Sequence, residues 1–134
     1  MPNDNNTQRT TQQKRAAYAY KQVEGLQKAG EKIHKEYSSL ARGFPAMIQI
    51  DGLGSALAFL LAKAGGDKQS AHRFLYDHVS AWLESNRHTS GDLLQSILQL
   101  DSARYRQIAG EIQAYMVWIK RFVEAEVYKA KPNG

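Results

Sequence analysis

The chain has 134 residues, 43% of them hydrophobic, which suits one domain with a core of its own. It has no cysteine, so disulfides and thiolate chemistry are excluded and a reducing, cytoplasmic setting is expected. No signal-like segment opens it, no apolar run approaches the ~20 residues of a membrane helix, and a net charge of +5 favours an anionic partner.

Residues 1–13 are polar, rich in Asn, Gln and Thr, and lack periodic apolar positions. They read as a flexible N-terminal arm that buries too little surface to offset its ordering entropy, leaving residues 14–134 as one helical domain. From Lys14 the pattern changes. Ala19, Val23, Leu26, Gly30, Ile33, Tyr37 and Leu40 recur at alternating spacings of four and three, a heptad seam that predicts one long helix. Gly25 and Gly30 each weaken it by ~1 kcal/mol relative to Ala and mark a place for bending. Gly43 and Pro45 are expected to end it, as C-cap and stop.

Asp51 then suits the N-cap of a nearly uncharged helix that Gly65 and Gly66 close. The run at residues 47–50 has strand-like composition but no partner strand. Asp67 precedes a helix with Ala71, Phe74, Leu75, His78, Val79 and Trp82 on one face, stopping near residues 84–87. Thr89 or Ser90 is expected to cap a short helix carrying Leu93, Leu94, Ile97 and Leu98. Asp101 starts the last long helix, whose apolar face is Tyr105, Ile108, Ile112, Tyr115, Ile119, Phe122 and Val123. The fold class is therefore all-α: a single-domain bundle of about five or six helices, two of them long.

Charge adds a second pattern. Lys14, Lys21, Lys28, Lys35 and Arg42 fall seven apart, at the position of the heptad farthest from the seam. On one helix they span ~42 Å at 1.5 Å per residue. Arg15 and Lys32 widen the row, and Lys63 and Arg73 are weaker additions. A track of point charges suits a phosphate backbone and would bind without reading sequence. The same row also suits a plain solvated face, because Lys is a good helix former and Glu24–Lys28 and Glu31–Lys35 are stabilising i,i+4 pairs.

No catalytic constellation emerges. The histidines, at 34, 72, 78 and 88, include no i,i+4 pair, so no metal site is expected. The stretch Gly52-Leu53-Gly54-Ser55 lacks the third glycine and preceding strand of a dinucleotide loop, so no cofactor is expected either. Asp77, Asp92, Asp101 and Glu111 are scattered acids, with no nucleophile–base pairing. Trp82, Trp118, Tyr115 and Phe122 have core spacing, whereas Tyr18 and Tyr20 lie near the basic row, where a base could stack.

Residues 37–63 carry a resemblance. Leu40-Ala41-Arg42, then Phe44-Pro45, then Gly52-Leu53-Gly54, then Ala58-Phe59-Leu60 running to Lys63 look like the core pattern of one family. It is the small subunit (the fifth) of the Cmr RNA-targeting complex, the type III-B CRISPR effector. The likeness extends to Leu75-Tyr76-Asp77-His78 and Trp82-Leu83 and covers the whole domain. Many members carry Asn where this chain has Asp51. The resemblance implies a non-catalytic role: copies stack into an inner filament along the guide RNA–target RNA duplex, beside other Cmr subunits, in antiviral defence. It implies no particular contact residues; the basic row is read from the charges. The other readings are a helical adaptor that binds only protein and, third, an enzyme with a distributed acid site.

Overall fold

The computed structural model describes residues 9–129. It has six α-helices, α1 (Thr11–Glu24), α2 (Glu31–Asp51), α3 (Leu53–Ala64), α4 (Ala71–Ser85), α5 (Leu93–Leu98) and α6 (Ser102–Glu124), and a 3-10 turn at Gln27–Ala29. No strand occurs among the described residues, and the all-α expectation holds with α2 and α6 as the long helices. Helix α6 packs against α1 and α2; α4 packs against α2 and α3; α5 closes against α3. The core is one cluster to which every helix contributes, from Ala19 and Val23 through Tyr37, Leu57, Leu75 and Ile97 to Ile112 and Val123.

The first long helix is not one helix. The chain leaves α1 at Gly25, makes a 3-10 turn, and restarts at Glu31 after Gly30 at φ 96° and ψ 161°, a conformation open essentially to glycine alone. Leu26 drops into the core at this corner, 2% exposed, so burial offsets the interrupted ladder. The helix also starts before Lys14, within the stretch read as an arm. Thr10 and Gln13 form a reciprocal capping box that begins α1 at Thr11, and residues 1–8 of that arm lie outside the described residues.

Gly43 and Pro45 do not end a helix. Helix α2 runs through both to Asp51. A proline inside a helix removes one hydrogen bond and costs ~3 kcal/mol or more. Burial carries the helix across the defect: Tyr37, Ala41, Phe44 and Ile48 form one continuous buried stripe spanning Pro45. The Gln113 amide of α6 also donates to the Pro45 carbonyl at 2.9 Å, tying α2 down there.

Two caps differ from expectation as well. Asp51 is the exposed last residue of α2, and Gly52, at φ 87° and ψ 157°, turns the chain into α3 without a side-chain cap. The Tyr105 hydroxyl of α6 instead accepts the Gly54 N–H at 3.1 Å, satisfying a donor at the start of α3. Helix α5 is capped by Asp92, not Thr89 or Ser90. The Tyr76 hydroxyl donates to Asp92 Oδ1 and accepts the Leu94 N–H, each at 3.0 Å, which links α4 to the short helix. Asp101 caps α6 as expected, and Gly65 closes α3. Ser70, one turn after Asp67, caps α4.

Candidate nucleic-acid interface

The corner at residues 25–30 breaks the basic row into three pieces. Lys14 and Lys21 stand on α1, Lys28 on the 3-10 turn, and Lys32, Lys35 and Arg42 on α2. All six are exposed, so their charges meet solvent although they no longer share one axis. Within α1, and again between Lys35 and Arg42, the seven-residue step is ~10.5 Å along the helix. Lys35 lies 3.6 Å from Glu31, a fully solvated i,i+4 pair of little energetic weight. Arg42 donates to the nearly buried Ser38 hydroxyl at 2.9 Å.

The three flanking residues have different surroundings. Arg15 is turned inward: its Nε and Nη2 grip the two Glu111 oxygens at 2.8 Å each. Glu111 Oε2 also accepts the Trp82 indole N–H at 2.9 Å, so this triad clasps α1, α4 and α6 together. The Arg15 bond holds the Glu111 carboxyl below the usual carboxylate range, against a smaller desolvation effect in the opposite direction. Arg73 pairs with Asp77 at 2.9 Å and lies over the Tyr76 ring. Lys63 is exposed, with its ammonium 6.0 Å from the Phe59 ring centre.

The structure also assembles something the spacing did not show. Arg9, Lys14 and Lys21 line a hollow of about 250 Å³ between α1 and the end of α4, together with Ala17, Tyr18, Trp82, Ser85 and Asn86. Among the described residues its lining holds three cations and no acid. Tyr18 stands edge-on to Trp82, ring centres 5.4 Å apart, and Trp82 stacks flat on Tyr115 at 4.9 Å. Arg9 precedes the periodic pattern, so no spacing in the sequence marks it. Tyr20 turns away to pack edge-on against Phe122.

Three of the four histidines serve packing. His78, partly buried, shares a 2.7 Å hydrogen bond with the Tyr37 hydroxyl, and desolvation lowers its pKa to about 4. Its carbonyl accepts the Gln22 amide at 3.0 Å, and Gln22 in turn accepts the Tyr115 hydroxyl. His34 donates to the Leu26 carbonyl at 2.6 Å and stacks on Tyr128, while His72 stands edge-on to Phe59. Among the described residues no helix is long and apolar enough to cross a membrane.

The sequence profile of the family described as CRISPR-associated protein (Cas_Cmr5) matches residues 11–126, nearly the whole described chain. The chain belongs to the Cmr5 family. It is the small subunit of a type III-B CRISPR complex, and other Cmr subunits are its partners. The fold agrees. A crystal structure of a CRISPR-associated Cmr5 family protein from Thermus thermophilus superposes with a TM-score of 0.68 at 27% identity. The match covers 87% of this chain and 97% of that one.

Proposed function

We propose that this Cmr5-family subunit is non-catalytic and lends basic surface to an RNA channel. Copies of it stack into an inner filament along the guide RNA–target RNA duplex, in the cytoplasm, as part of antiviral defence. The observation that carries this reading is the exposure of Lys14, Lys21, Lys28, Lys32, Lys35 and Arg42, none of which is buried in the core. Lys63 is a further candidate contact. Arg73 and Arg15 belong to the candidate set by charge, but both already hold carboxylates, so their RNA contribution is the smallest. The non-catalytic role is supported by the three histidines spent on packing and backbone bonds.

A cationic row on an isolated subunit binds weakly at physiological salt, and stacking supplies the multivalency. The test is RNA affinity against salt, with the chain assembled among its Cmr partners. Phosphate contact makes log K fall linearly with log salt, and each lysine removed from the row lowers that slope by ~0.7–0.9. Co-purification should recover guide RNA with the other Cmr subunits. Recovery of those subunits with an unchanged salt slope in the Lys28→Ala/Lys35→Ala variant would favour a purely protein-binding role.

A further inference from the structure

We propose that the hollow between α1 and the end of α4 is a nucleotide site: it holds one unstacked ribonucleotide, phosphate on the cations and base against Tyr18. This deepens the RNA-facing reading above and rests on it. Three observations point to this ligand. Among the described residues the lining carries Arg9, Lys14 and Lys21 and no acid, so an anion is favoured there. The carboxylate bonded to the Trp82 indole belongs to Glu111, and Arg15 already neutralises it, so it does not cancel that field.

The second observation is aromatic. Tyr18 is half-buried, braced edge-on by both Trp82 and Tyr115 at 5.4 and 6.3 Å between ring centres. A ring held on two sides is a rigid platform, which loses little entropy when a base lies on it. The third is size and rim. A volume of about 250 Å³ lies just under the ~300 Å³ at which small-ligand pockets begin. It suits one nucleotide and excludes a duplex. The rim at Ser85 and Asn86 is fixed, because both side chains donate to the Trp82 carbonyl, at 2.8 and 3.0 Å. A polar edge beside an apolar floor matches a base, whereas a lone phosphate would need no ring.

The hollow near Tyr128 makes the contrast. It is larger, about 580 Å³, but its lining mixes Glu31 and Glu126 with Lys35 and Lys129, which pair with each other. Among the described residues its lining is charge-balanced.

The experiment titrates the full chain with three probes: a 12-nucleotide oligouridylate, the same strand annealed to its complement, and uridine 5′-monophosphate. Affinity is read by fluorescence anisotropy, and the Trp82 indole N–H by ¹⁵N-edited NMR. Trp118, whose indole N–H is held by Gln12 outside the hollow, is the internal control. The variants are Tyr18→Leu, Lys14→Ala/Lys21→Ala, and Lys28→Ala/Lys35→Ala off the hollow, each checked for an unchanged helical spectrum. Single strand is expected to outbind duplex, with the Trp82 signal shifting and Trp118 still. Tyr18→Leu should weaken single-strand binding roughly tenfold, the scale of one lost base stack. Lys14→Ala/Lys21→Ala should cost more than Lys28→Ala/Lys35→Ala. A Trp82 shift with the monophosphate but not the strand supports the site and assigns it to free nucleotide. Equal binding of strand and duplex, equal cost of the two lysine pairs and a still Trp82 would overturn the site while leaving the basic row intact. No binding of any RNA at low salt would overturn both.

Discussion

Replacing Glu111 with Gln tests whether the Arg15–Glu111–Trp82 clasp holds α1 to the bundle. The side chains of Arg15 and Glu111 are 16% and 12% exposed, and the pair is bidentate. Exposed pairs contribute ~0–1 kcal/mol; breaking a fully buried one costs ~3–5 kcal/mol. This pair lies between, and Gln keeps an acceptor for the Trp82 indole, so the expected loss is about 2 kcal/mol. For a chain of this size that lowers Tm by about 6 °C.

The effect should depend on pH with a defined sign. Because Glu111 has a depressed folded pKa, its contribution is present above the unfolded value of ~4.3 and lost as pH falls through the folded one. Urea unfolding of the wild-type chain and Glu111→Gln at pH 7 and at steps down to pH 3 checks this. The two midpoints should differ by the full amount at neutral pH and converge in acid. Adding Arg15→Met completes a double-mutant cycle, with an expected coupling of ~1–2 kcal/mol. A loss at pH 7 within the ~0.5 kcal/mol of ordinary surface substitutions, or one that stays constant with pH, would refute the clasp.

Two further outcomes follow from the same structure. His78 has a folded pKa of about 4 because burial opposes its charge, against ~6.5 when unfolded. Its stabilising effect is complete above pH ~6.5 and shrinks by up to ~3 kcal/mol toward pH 4; His78→Gln, measured by urea midpoints over that range, should flatten the slope. The glycines divide sharply: Gly43→Ala, exposed inside α2 with no described residue within 4 Å of the added carbon, should raise stability by ~0.5–1 kcal/mol. Gly52→Ala, at φ 87°, should lower it by ~1–3 kcal/mol; calorimetry of both decides whether α2 runs through residue 43 and turns at residue 52.

Much of the fold is written in local spacing. The faces of α4 and α6 were legible because their apolar periods are uninterrupted and their partners, whatever they are, need only be apolar. The Asp101 cap was legible for the same reason: it acts within three residues of chain. The basic row was visible as a spacing, but its shape was not. Seven-residue steps read identically through a straight helix and through a corner, and only the glycine-permitted turn after Leu26 separates α1 from α2. The nucleotide-sized hollow was illegible, since it joins Arg9, Lys14, Tyr18 and Lys21 to residues more than sixty positions away on α4.

The sequence by itself determined the all-helical class, the buried stripes of the later helices and the charges carried on the surface. Each of these follows from forces acting within a few residues: periodicity, propensity and solvation. Only the tertiary structure decided where helices stop and which charges stay free. Pro45 is tolerated because the flanking stripe of α2 is buried and Gln113 reaches its carbonyl. Gly54 is capped by Tyr105 from 51 residues away. Arg15 leaves the basic surface because Glu111 waits on α6. In each case a distant partner supplies free energy of the same few kcal/mol as the local preference it overrides. That is why the local signal lost.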